Sequence, residues 1–238
     1  MPIKDSAPVK RARGRPKKTA DQRDDGNRRQ ALILAAAQLF KLKGYDATTT
    51  REIAAHIGMQ PGSPFYHFHN KQDLLVAVMV EGMKRAITTQ QLTLEALLKQ
   101  SPKATARVKL RTLVRHHFDV LLGAHSDFIP VMLYEGRALN SAQRRTINAL
   151  KNSYEAAWIP VLQTLHDGKA LRAPVGLARL MIFGALNWSV QWYEAPTNKN
   201  NQREKSQREK SQREKSQHAS LDELTDAALD LFLQSPVD

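Results

Sequence analysis

Between Thr50 and Lys71 the chain reads TREIAAHIGMQPGSPFYHFHNK, and this stretch restricts the fold more than any other. Thr49, just before it, is an N-cap residue with Glu52 three positions on, a capping-box pattern. Ile53, Ala54 and Ile57 face inward, and Gly58 stops the helix. A second short helix carries Phe65, Tyr66, His67 and Phe68, the last of which reads as core. Asn70 then caps a longer helix with Asp73 in its first turn. Two short helices joined by a tight turn form a helix-turn-helix, which can lay its second helix in a DNA major groove.

The remaining chain is also helical in pattern. Ala31, Leu32, Ala35, Leu39 and Leu42 recur at helical spacing from Arg28 onward, and Gly44 closes that helix. Ser101-Pro102 reads as N-cap and first position of a helix to about Gly123. Further helices are expected over 126–136, 141–167 and 174–194, and Ser220 with Glu223 opens a last one through about Gln234. β-Branched residues alternate over no long window, so no strand is expected. The fold class is all-α, with a small N-terminal domain (28–74) and a larger one (75–238) joined by the long fourth helix.

The 238 residues carry a formal charge of +13, which favours polyanionic partners. There is no cysteine, so disulfide and thiolate chemistry are absent. Leu180 to Tyr193 is apolar and uncharged, but at about 14 residues it falls short of the ~20 a membrane span needs. The N-terminus lacks the apolar core of a signal peptide, so a soluble, cytoplasmic protein without membrane contact is expected.

Residues 1–27 read as a disordered basic arm, punctuated by Pro and Gly. Its core, Arg13-Gly14-Arg15-Pro16, resembles an AT-hook, in which Arg13 and Arg15 would enter an A·T-rich minor groove. The alternative is a solvated tail with unspecific phosphate attraction. QREKS stands three times over between Gln202 and Ser216. A five-residue period fits no coiled coil, so 195–217 reads as a mobile charged loop, with a helix extension as the alternative.

From about Arg28 to Leu75 the chain resembles the TetR family of bacterial transcriptional regulators. The matching positions are Gly44, Thr50 with Ile53-Ala54, Gly58-Met59, Phe65-Tyr66-His67-Phe68 and Lys71. The resemblance implies that Thr50 and Arg51 contact phosphate and that Gln60, Pro61, Gly62 and Ser63 approach base edges. Phe65 and Tyr66 would meet sugar, phosphate or a thymine methyl, with His67 and Lys71 clamping the flanking backbone. Two positions depart from the pattern. Pro64 stands where the family has an aliphatic residue, which predicts a late-starting recognition helix or weaker DNA binding. Phe65 stands where tyrosine is commoner, removing a hydroxyl.

The same resemblance makes the larger domain a ligand-binding and dimerisation domain, a homodimer paired through the last two helices and matched to a palindromic operator. GALNWSVQWYEAP (Gly184 to Pro196), with Tyr134-Glu135-Gly136-Arg137, is similar to a branch that controls lipid and steroid-ring catabolism and responds to coenzyme A thioesters. The small-molecule effector would then meet Phe118, Leu122, Tyr134, Arg137, Trp158, Asn187, Trp188 and Trp192, with Arg137 facing its acidic group. The bland alternative is that the aromatics are core and Arg137 a surface ion pair.

No nucleophile elbow, P-loop or dinucleotide fingerprint is present, so neither enzyme nor cofactor is expected. His116-His117 and His67/His69 invite a metal reading, but adjacent helical side chains diverge by about 100°, and none is expected. The expectation is a repressor released by a small ligand, with an acyl-CoA or lipid-like molecule as the candidate; the alternative is an architectural DNA-binding protein without a switch.

Overall fold

The computed structural model describes residues 20–124, 126–194 and 219–234. The Arg13 and Arg15 pair and the QREKS repeats lie outside them. The described residues form helices and turns, with no strand among them. In chain order they are α1 (Ala20–Lys43), α2 (Thr50–His56), α3 (Pro64–His67), α4 (Lys71–Gln100), α5 (Ala106–Leu122) and α6 (Phe128–Tyr134). A 3-10 turn (Glu135–Ala138) follows, then α7 (Ser141–Ala156), α8 (Ile159–Asp167), α9 (Val175–Trp188), a second 3-10 turn (Ser189–Gln191) and α10 (Leu221–Phe232).

α4 is the spine. It packs on α1, α5, α6 and α7. Leu74, Leu75, Val78, Met79 and Met83 repeat at helical spacing along its buried face. The caps follow the residue chemistry. Thr49, Asn70 and Ser220 each accept the N–H of the residue three ahead, and the Glu52 and Glu223 carboxylates reach back to the N–H groups of Thr49 and Ser220. Gly44 and Gly58 adopt positive φ where α1 and α2 turn away.

Several boundaries depart from the sequence expectation. α1 starts at Ala20 rather than near Arg28, so 20–27 are helical and not part of a disordered arm. The interior Gly26 costs only about 1 kcal/mol. Leu42 points into solvent, two positions past Phe40, the last buried residue of α1. Ser101 ends α4 instead of opening α5, whose N-cap is Thr105, its hydroxyl accepting from Val108 N–H. The helix expected over 141–167 breaks between Ala156 and Ile159. Pro160 lacks the N–H that continuation requires and sits in the first turn of α8. That break swings Trp158 into the core, with no exposed surface. The Gln90 amide, turned suitably, accepts from Trp158 Nε1 at 2.9 Å and donates to Tyr154 O at 3.0 Å.

Candidate nucleic-acid interface and internal cavity

One end of the molecule presents the helix-turn-helix. The Thr49 cap fixes the start of α2, leaving Arg51 exposed and Thr50 half-buried there. The backbone N–H of Thr49, the ammonium of Lys43 and the Thr49 hydroxyl hold the exposed Glu52 carboxyl down at about 2, so the cap stays charged. Gln60, Pro61 and Gly62 form an exposed turn closed by Ser63 N–H donating to Gln60 O at 2.9 Å, with Ser63 half-buried. α3 starts only at Pro64, whose ring is buried, so the second helix is a single turn that starts late. Its outward face is aromatic: Phe65 is 55% and Tyr66 91% exposed. His67 is half-buried at its end, and Phe68 packs in the core beneath the guanidinium of Arg29.

Lys71 makes contacts within the protein that the resemblance does not imply. Its Nζ donates to the carbonyls of Tyr45 at 2.8 Å and Thr48 at 2.9 Å, and sits 4.2 Å from the Tyr45 ring centre. An ammonium so engaged ties the α1–α2 turn to the start of α4 and is not a free phosphate clamp.

A cavity of about 110 Å³ lies deeper, among α4, α5, α6, α7 and α9. Each helix contributes at one-turn spacing: Met83 and Ala86, His117 and Val120, Ile129 with Met132 and Leu133, Lys151 with Tyr154 and Glu155, and Phe183 with Asn187. Of the eight expected ligand residues only Asn187 lines it. Phe118 and Trp158 are buried, Trp158 packing behind Phe183 at 4.7 Å between ring centres. Leu122 is half-buried at the end of α5. Tyr134 is exposed and accepts from Gln191, while Arg137 is exposed in the 3-10 turn. Trp188 is 65% exposed and Trp192 lies past the end of α9. Helical spacing alone marks residues as facing inward; it does not tell a packed face from one bordering a hollow.

The polar wall is a connected chain. His117 Nε2 lies 3.1 Å from Asn187 Oδ1, and His117 Nδ1 lies 3.1 Å from the Tyr154 hydroxyl. His116 Nδ1 stands 3.3 Å from the same hydroxyl, and its Nε2 is 2.8 Å from the Thr89 hydroxyl. Tyr154 has one proton for two imidazoles. With His117 donating to Asn187 and accepting from Tyr154, His116 donates its Nδ1–H to Tyr154. Burial pushes both histidines down to about 4 and the Tyr154 phenol up, so the chain is neutral near pH 7.

α6 touches both regions. Ile129, Met132 and Leu133 line the cavity, while Asp127 before it pairs with Lys41 of α1 at 3.1 Å. Glu135 after it accepts the Tyr45 N–H at 2.9 Å. Gln72 at the start of α4 donates to Ala138 O at 2.7 Å.

The model for bacterial regulatory proteins of the tetR family matches residues 32–78, and that for a tetracyclin repressor-like C-terminal domain matches 103–196. The fatty acid metabolism regulator protein of Bacillus subtilis (strain 168) is 31% identical over 161 residues, 67% of this chain and 79% of its own length. The HTH-type transcriptional repressor KstR2 of Rhodococcus jostii (strain RHA1) is 25% identical over 182 residues, 73% of this chain and 83% of its own length. The solved structure of the transcriptional regulator FadR from Bacillus subtilis in complex with stearoyl-CoA matches with a TM-score of 0.62 at 26% identity, covering 86% of this chain and 97% of that one. A helix-turn-helix unit carried on a larger helical body defines a DNA-binding transcription regulator. The chain belongs to the TetR family of bacterial regulatory proteins.

Proposed function

We propose that the protein is a homodimeric, cytoplasmic repressor that leaves a palindromic operator when an acyl-CoA or similar lipid-like ligand fills the cavity. The observation that carries this reading is the double attachment of α6, which walls the cavity and holds both α1 and the turn before α2. A ligand that moves α6 therefore moves the helix-turn-helix, provided it binds the two states unequally. The cavity supports such a switch. At about 110 Å³ it is well below the ~300 Å³ of ordinary ligand sites, so a lipid-like ligand would have to widen it. The ligand class is supported by the lipid-related regulators this chain resembles.

Dimerisation is supported by an apolar stripe on α9, where Leu177, Leu180, Met181 and Trp188 are exposed, continued by Leu231 of α10. A Cβ at Gly184 would meet nothing within 4 Å, which leaves room for a partner helix. No helix among the described residues is long and apolar enough to cross a membrane. The proposed DNA surface comprises Thr50, Arg51, Gln60 to Ser63, Phe65, Tyr66 and His67.

The test is retention of fragmented genomic DNA at near-physiological salt, with and without palmitoyl-CoA. Recovery of one short palindrome, released by the thioester, is the expected result. Recovery of A·T-rich DNA without a shared motif would instead make the protein an architectural binder. Leu180→Glu should convert the dimer to a monomer in sedimentation.

A further inference from the structure

The cavity wall holds one cation that no carboxylate answers. Lys151 of α7 lines it beside Tyr154 and Glu155. Glu155, one turn on, is paired with Arg179 of α9 instead. Among the described residues no ion pair includes Lys151, and the nearby charge of Arg144 is of the same sign. Burial first, and Arg144 second, lower the Lys151 pKa. The other polar groups of the wall satisfy one another in the neutral His117, Tyr154 and Asn187 chain. The rest of the lining is apolar. An ammonium at the edge of an apolar cavity, with no ion-pair partner, gains from an anionic or strongly accepting group that meets it there.

We propose that Lys151 is the specificity-determining residue of this cavity, binding the negatively charged or carbonyl group of an otherwise apolar ligand. The cavity thereby selects an amphiphilic anion over a neutral chain of the same length. This rests on the ligand-responsive reading above. The apolar body has somewhere to go. Ala86, Val120 and Ile129 also wall a second cavity of about 160 Å³, bounded further on by Gly82 and Phe128 and, at its polar side, by Thr89 and by Arg85, whose guanidinium is paired with Glu81. Movement of Val120 and Ile129 would join the two into one slot, running from Lys151 toward α6.

Two sources supply this chemistry. A free fatty acid brings its carboxylate to Lys151, whereas an acyl-CoA brings its thioester carbonyl or a phosphate. Calorimetric titration of the full chain with lauric acid, lauroyl-CoA and dodecanol separates them. The wild type should bind at least one anionic probe about tenfold or more tighter than dodecanol. Lys151→Met should lose that margin while keeping its dodecanol affinity, and Lys151→Arg should retain most of it. The probe whose affinity collapses in Lys151→Met identifies the source. Should the methionine variant not fold, Lys151→Gln makes the same comparison, with a melting curve as control. A margin that survives in Lys151→Met overturns the proposal, as does a wild type that binds dodecanol equally well; both leave the lipid-ligand reading standing. A wild type that binds none of the three overturns the proposal together with that reading.

Discussion

The ammonium of Lys71 donates to the carbonyl of Tyr45 at 2.8 Å while lying 4.2 Å from the centre of the same residue's ring. One side chain thus fixes both the backbone and the aromatic group of the α1–α2 turn. Tyr45 is also the residue whose N–H is held by Glu135, so the turn is gripped from α4 and from the segment after α6. Lys71→Met removes the charge and keeps most of the apolar stem. It should lower stability by about 1–2 kcal/mol, since hydrogen bonds from charged donors are worth more than neutral ones. Denaturant melts measure this, and a change within error would mean that water replaces the ammonium at no cost.

Gly82 on α4 is where α6 comes closest. A Cβ there would lie 2.5 Å from Phe128 Cβ, an atom fixed to the α6 backbone. Alanine gains about 1 kcal/mol of helix propensity. Overpacking costs about 1–3 kcal/mol, and here no flexible side-chain end can yield. Gly82→Ala should therefore destabilise by up to about 2 kcal/mol. A rise in the thermal midpoint would show instead that α6 slides away freely, the freedom a switch element needs.

The buried pair His116 and His117 gives an acid dependence with a definite sign. Both titrate near 4 in the fold, against about 6.5 in an unfolded chain. Between those values the unfolded state holds more protons, so acid favours unfolding. Stability is full above about pH 6.5 and falls as pH drops toward 4. From pH 7 to pH 5 the loss should be about 2 kcal/mol per histidine. In His116→Gln the pH-dependent part should fall by about half. Equal denaturation midpoints at the two pH values would show that the imidazoles are already charged or hydrated.

What the sequence made legible was local. The caps at Thr49, Asn70 and Ser220 and the stops at Gly44 and Gly58 are set by chemistry within a few residues, and these positions stand as expected. Ser101-Pro102 carried an equally good start signal but lost to Thr105, because α4 runs on to Gln100 and leaves Pro102 in the turn that follows. Choices of that kind depend on packing elsewhere. The cavity was less legible still. Met83, His117, Met132, Lys151 and Phe183 come from five helices, and each looks like ordinary inward spacing on its own. Trp188 and Trp192 carry the aromatic signal but do not line the cavity, whereas Lys151, which does, has no local pattern that marks it.

The last helix is fastened by a charge ladder. Arg107, Arg111 and Arg115 stand one turn apart on α5, and Asp222, Asp226 and Asp230 stand one turn apart on α10. They meet in antiparallel order: Arg107 with Asp230 at 3.3 Å, Arg111 with Asp226 at 2.7 Å, and Arg115 with Asp222 at 3.3 Å. Each rung is at least partly solvent-exposed and weak alone, but together they set the register of α10. Arg111→Asp should lower the thermal midpoint, and adding Asp226→Arg should restore much of it. The wild-type midpoint should fall as sodium chloride rises from low to moderate concentration. Absence of both rescue and salt dependence would assign the docking of α10 to its apolar face alone.

Tyr66 separates contact from packing at the proposed DNA surface. At 91% exposure its ring has little to lose in the fold, so Tyr66→Ala should leave stability within about 0.5 kcal/mol of wild type. Loss of one aromatic contact to the DNA should nonetheless weaken operator binding by about tenfold or more. The neighbouring Phe65→Ala, at a less exposed position, should weaken binding with a small cost in stability as well. Fluorescence anisotropy on the palindrome recovered from genomic DNA measures the first quantity and thermal melting the second. Unchanged affinity in Tyr66→Ala would remove the aromatic turn from the interface and shift the reading of DNA to Gln60 to Ser63.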